Sequence, residues 1–212
     1  MLSRFRHGPH SFVLLACSIL LAMLLAACGG AATTSSSTPT PTPPPSPTPS
    51  PTPSPSPATS LTTYTGDGYT IGYPSSWKVN AQSTKVTFAD STGIYNMTIV
   101  VTPNPGAAIS ADTVANAGIT AAKTQLKNPQ DANLPATTMV GGDSWVQKSA
   151  IGTSTTAGTS IPLEFVVIAD NHPASSPSTK SFTIVYGTAQ QFFVSANTSY
   201  FQPMLQSFKF TS

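Results

Sequence analysis

Between Pro39 and Pro57 the sequence reads PTPTPPPSPTPSPTPSPSP, and no other stretch restricts the architecture as strongly. Proline at nearly every second position removes backbone donors and holds φ at about −65°, which excludes a helix interior or a sheet ladder and favours an extended polyproline II rod. Around it, from Gly29 to Thr63, no side chain is ionisable. At about 3.1 Å per residue the Pro-rich positions span roughly 60 Å as a semi-rigid spacer. Whatever folds must follow this spacer. In a chain of 212 residues that leaves one domain's worth of sequence, placed at 64–212. A block of about 150 residues buries about 68–70% of its unfolded surface and needs no disulfide or metal to fold.

The other side of the spacer reads as an address. Arg4 and Arg6 precede an apolar run from Phe12 to Leu25 that finishes on Ala26 and Ala27, the pattern of a secretory signal peptide over 1–27. The tetrapeptide LAAC, Leu25 to Cys28, resembles the bacterial lipobox, which makes Cys28 the expected lipid-attachment residue. A rival LLAC ends at Cys17, but it leaves only Phe12 to Ala16 as an apolar region, too short for a signal. Acyl chains at about 0.8 kcal/mol per buried methylene hold such a chain firmly on a bilayer. With Cys17 removed and Cys28 acylated, the folded block 64–212 contains no thiol, disulfide or cysteine-based metal site. The expected location is extracytoplasmic, on the membrane, behind a linker at 28–63.

Charge narrows the partners. The formal net charge is +2, but both arginines lie in the expected signal peptide, and the remaining lysines equal the seven acids in number. Nucleic-acid binding, which needs a basic patch to neutralise phosphates, is excluded on that ground.

After Leu61 the sequence alternates. Tyr69, Ile71 and Tyr73 share one face of a strand; Val86 and Phe88 share another; Tyr95, Met97, Ile99 and Val101 a third. Ser110 is placed to cap a helix with Asp112 in its first turn, an apolar stripe at Ala115, Ile119, Ala122 and Leu126, and a stop at Asn128-Pro129. Strands follow at Trp145–Ile151, Leu163–Ala169 and Phe182–Tyr186, and LEFVVIAD is apolar on both faces, as in a central strand covered twice. A short helix over Asn197–Phe208 closes the chain. The expected class is α+β, a central antiparallel sheet flanked by helices.

The opening DGYTIGYPSSWKV (Asp67–Val79) and the finish YFQPMLQSFKF (Tyr200–Phe210) resemble the bracketing signatures of the PsbP-like superfamily. The resemblance implies an α/β/α sandwich around the antiparallel sheet. It also implies a non-catalytic role, since photosynthetic members are accessory subunits that help retain calcium and chloride at photosystem II. None of that family's ion-contacting residues maps onto a numbered position here. The aromatic opening stretch reads as core, with Trp77 folded back over its edge.

Candidate chemistry is sparse. His172 is the only imidazole in 64–212, and it sits in ADNHPASSP, read as a solvated loop. A Ser-His-Asp hydrolase would have to use it with Asp170, yet no G-x-S-x-G elbow accompanies them. Asp170 and His172 supply two metal ligands where three or four are needed, so no metal site or cofactor is expected. Asp67 in TGDG lacks the further acids of a calcium loop, and Gly141-Gly142-Asp143 reads as a hairpin turn. The expected function is non-catalytic: a lipid-anchored binding or accessory module with a possible protein partner at the cell surface. The alternatives are a solute-binding lipoprotein serving a transporter and, as the resemblance implies, a PsbP-type accessory subunit of a membrane complex such as photosystem II with a calcium link.

Overall fold

The computed structural model describes residues 60–156 and 159–211. The expected signal peptide, Cys28 and the Pro-rich run lie outside the described residues. The fold is α+β, built on two antiparallel sheets.

The smaller sheet has three strands. β1 (Leu61–Gly66) and β2 (Tyr69–Pro74) form a hairpin around Asp67-Gly68, where Gly68 takes the positive φ of 83° that a side chain would resist. The expected domain start at Tyr64 falls inside β1, because Leu61, Thr62 and Thr63 already pair with Pro74, Tyr73 and Gly72. β11 (Lys209–Phe210) returns from the C-terminus to pair with Tyr69 and Thr70.

The larger sheet runs β3-β4-β5-β10-β9-β8-β6. Its strands are β3 (Lys78–Ala81), β4 (Lys85–Ala89), β5 (Asn96–Pro103), β6 (Lys127–Asp131), β8 (Asp143–Thr156), β9 (Thr159–His172) and β10 (Lys180–Ala189), with β7 (Thr137–Val140) paired to β8. The doubly apolar LEFVVIAD segment lies in β9, between β8 and β10. Val166 and Ile168 enter the main core, while Val167 joins a second cluster with Ile119 of the helix α1 (Ala111–Lys123).

Ser110 caps α1 as its sequence predicts, its hydroxyl accepting from the Thr113 amide at 3.2 Å. The helix stops at Lys123, however, short of Asn128-Pro129. Those two residues lie in β6, an edge strand with a register shift between Lys127 and Gln130, where a proline without a donor is tolerated. The C-terminal helical segment likewise begins earlier than Asn197, with α2 (Gln190–Ala196) burying Phe193 and Ala196. A π turn (Asn197–Phe201) precedes α3 (Gln202–Ser207), so the helix passes Pro203 immediately after a loosened turn. Among the described residues no helix is long and apolar enough to cross a membrane.

The main core lies between the large sheet and a cover made of the small sheet with α2 and α3. Phe208 and Met204 are fully buried there beside Ile71, Phe88 and Trp145. At one end of this face Glu164 of β9 is half-buried opposite Thr188 of β10, and desolvation pushes its carboxyl above the ordinary range. A raised carboxyl is held more tightly by its proton in the folded state, so ionisation costs stability once pH rises above about 4.3. Glu164→Gln is therefore expected to raise the melting temperature at pH 7 and to lose that advantage near pH 3. A gain equally large at both pH values would contradict burial of the charge as the cause.

Candidate functional site

The chemistry-bearing side chains gather where the ends of β8, β9 and β10 meet β11. In antiparallel register Val146 faces Ala169, and continuing that ladder places Trp145 opposite Asp170 and Asp143 opposite His172. On the other flank β10 sets Phe182 beside Asp170 and Lys180 beside His172. Because side chains alternate along a strand, these six share one face of the sheet.

The donor atoms of Asp143, Asp170 and His172 all lie within 4.8 Å of one another. His172 Nδ1 is 3.8 Å from Asp143 Oδ2. Both side chains are partly open to solvent, 40% for His172 and 51% for Asp143. Asp170 is more enclosed. Desolvation pushes its carboxyl upward, the negative charge of Asp143 adds to that, and the Asn171 amide and His172 oppose it.

The expectation that His172 lies in a loop is corrected here. His172 is the last residue of β9, and its ring lies flat on Phe210 with centroids 3.7 Å apart and planes 6° apart. Phe210 in turn stacks on Trp145 at 5.9 Å and meets Phe182 edge-on at 5.0 Å. The imidazole is thus held by an aromatic wall that β11 carries across from the small sheet. On the opposite face of the same strand end, Asn171 fixes the backbone. Its Oδ1 accepts from Ser181 Oγ at 2.7 Å and from the buried Asn104 Nδ2 at 3.1 Å, and its Nδ2 donates to the Ile109 carbonyl at 2.8 Å. Asn104 is anchored in turn by donating to Ile109 O at 2.7 Å and accepting from the Ile109 amide at 3.0 Å.

Charge at this rim is unbalanced. Lys180 is already engaged by Asp67 at 2.5 Å, tying the β1–β2 turn to β10. Asp143 and Asp170 face the His172 ring, whose Nδ1 lies 3.8 Å from Asp143 Oδ2.

Sequence reasoning paired Asp170 with His172 and found no third ligand. The structure supplies Asp143, which read only as the end of a Gly-Gly turn. In sequence, Phe210 reads only as part of the closing signature and Trp145 only as a strand residue. The parity of Asp143 and Trp145 on β8 carries the information, but only once the β8–β9 register is known. Asp67, by contrast, serves in an ion pair.

A separate cleft of about 480 Å³ lies at the other end of β9, lined by Ser160, Ile161, Pro162, Ala189, Gln190 and Gln191. Its lining residues carry no charge, and it is remote along β9 from His172.

No protein-family model matches the chain, and no curated protein matches it. Among solved structures it is similar to a protein of Bacteroides thetaiotaomicron VPI-5482, with 9% identity and a TM-score of 0.43 over 68% of this chain. That match covers 46% of the Bacteroides protein, so the chain spans less than half of its length. It is also similar to LpqN of Mycobacterium tuberculosis, a protein involved in cell envelope biogenesis. There the identity is 15% and the TM-score 0.44, covering 72% of this chain and 91% of LpqN.

Proposed function

We propose that the chain is a lipid-anchored, extracytoplasmic and non-catalytic binding or accessory module of PsbP-like type, presenting the Asp143–Asp170–His172 rim to a partner at the cell surface. The observation that carries this is LAAC at the end of an apolar run, followed by an uncharged Pro-rich spacer and one folded domain. Cys28 is the attachment point, and the membrane is the first partner. The rim supports a binding role because it concentrates unbalanced charge on a surface that aromatic packing holds in place.

Anchoring is tested by growing a bacterial host that expresses the chain with labelled palmitate. Label is expected on the parent and on Cys17→Ala, and is expected to vanish in Cys28→Ala. Label retained in Cys28→Ala, or lost in Cys17→Ala, would overturn the assignment of Cys28.

A further inference from the structure

We propose that Asp143, Asp170 and His172 bind a divalent transition-metal ion of the zinc class; this deepens the role of the rim as the binding feature proposed above. Three observations converge on it.

The first is the donor set. Two carboxylates and one imidazole from two neighbouring strands have their ligand atoms within 4.8 Å of one another. Around a tetrahedral zinc ion with bonds of about 2.0–2.2 Å, ligand atoms sit roughly 3.3–3.5 Å apart. The 3.8 Å separation of His172 Nδ1 and Asp143 Oδ2 is already near that figure. The remaining approach falls to the carboxylates of Asp143 and Asp170, because the His172 ring is held against Phe210. Calcium, which takes six to eight oxygen ligands, is poorly served by a set in which one of three donors is nitrogen.

The second is the wall. Trp145 is fully buried, an extension of the β8–β9 ladder sets it opposite Asp170, and among the described residues its indole N–H has no hydrogen-bond partner. A buried donor without an acceptor is uncommon in a folded protein and calls for an explanation. An acceptor brought in with a bound ion would satisfy it, as outer-shell groups commonly do around metals.

The third is preorganisation. The flat stack on Phe210 restricts the His172 ring, and the Asn104–Asn171–Ser181 bonds fix the strand between the two β9 ligands. Lys180, the nearest lysine in the ladder, is drawn off by Asp67 and leaves the carboxylates available. With three protein ligands on an open rim, the fourth position faces solvent and is available to water or to a donor from a partner, the arrangement of an unsaturated rather than a closed structural zinc site.

The test uses the full chain in detergent, without a polyhistidine tag, titrated calorimetrically with zinc chloride and followed by visible absorption with cobalt(II). One ion per chain is expected. Asp143→Asn, Asp170→Asn and His172→Gln are each expected to weaken zinc binding by about tenfold or more. Asp131→Asn, at an exposed acid paired with Lys123 elsewhere, is expected to leave it unchanged. Melting curves without metal confirm that the variants fold. Zinc affinity unaffected by His172→Gln in a folded variant, or zinc displaced by an equal concentration of calcium, would overturn the site. The palmitate experiment separates the two proposals. A chain labelled at Cys28 that binds no zinc keeps its anchor and loses this site, whereas an unlabelled chain that binds zinc through these residues does the reverse.

Discussion

Phe208→Ala is expected to destabilise the domain by about 3–5 kcal/mol, the range for removing a fully buried phenylalanine without refilling its space. The side chain is wholly inaccessible and touches four aromatic rings. It stacks on Tyr69 at 5.4 Å, meets Trp145 edge-on at 5.3 Å, and also meets Phe182 at 6.4 Å and Phe210 at 5.1 Å. Tyr69 belongs to the small sheet and Trp145 to the large one, so this single ring joins both. Its backbone is extended, directly after α3, and repacking is limited because Phe208 links that helix to β11. Urea unfolding of the purified chain measures the loss. A change below about 1 kcal/mol would mean that the two sheets hold together through other contacts.

Trp77→Ala is expected to cost a similar amount, again about 3–5 kcal/mol. Here the measurement also decides between core and binding surface. Trp77 is 7% exposed, tilted against Tyr200 at 5.6 Å and edge-on to Phe201 at 6.4 Å. Its amide donates to the Pro74 carbonyl at 2.9 Å, so the Ser75-Ser76 turn folds the indole back onto the π turn before α3. Tyr69, Ile71, Tyr73 and Trp77 of the GYTIGYPSSWKV stretch therefore pack in or against the core, and its aromatic density follows from covering a sheet. A nearly neutral effect on unfolding would instead identify Trp77 as a surface aromatic held for a ligand.

These two residues also mark what was legible in the sequence. Alternation at Tyr69, Ile71 and Tyr73, the cap at Ser110, and the doubly apolar run in β9 depend on local period and local hydrogen bonds, so they could be read directly. β6 and β7 could not. Lys127–Asp131 is wholly exposed and contains Pro129, and its strand character comes only from pairing with β8. β11 has two residues, too few to show any period. The rim was half legible for the same reason: Asp170 and His172 share a strand and a parity, but Asp143 joins them through a ladder between residues far apart in sequence. The packing of Phe210 against His172 requires the small sheet to fold over the large one, which no periodicity expresses.

The hairpin of β1 and β2 gives the domain a direction. The chain enters the fold at Leu61 and reaches the rim at the Asp67-Gly68 turn, where Lys180 clasps Asp67 and the Thr211 amide bonds to the Gly68 carbonyl at 3.0 Å. A six-residue strand spans roughly 20 Å. Under the anchoring proposed at Cys28, the domain would be held at the Leu61 end of this hairpin, with Asp143, Asp170 and His172 at the far end of it.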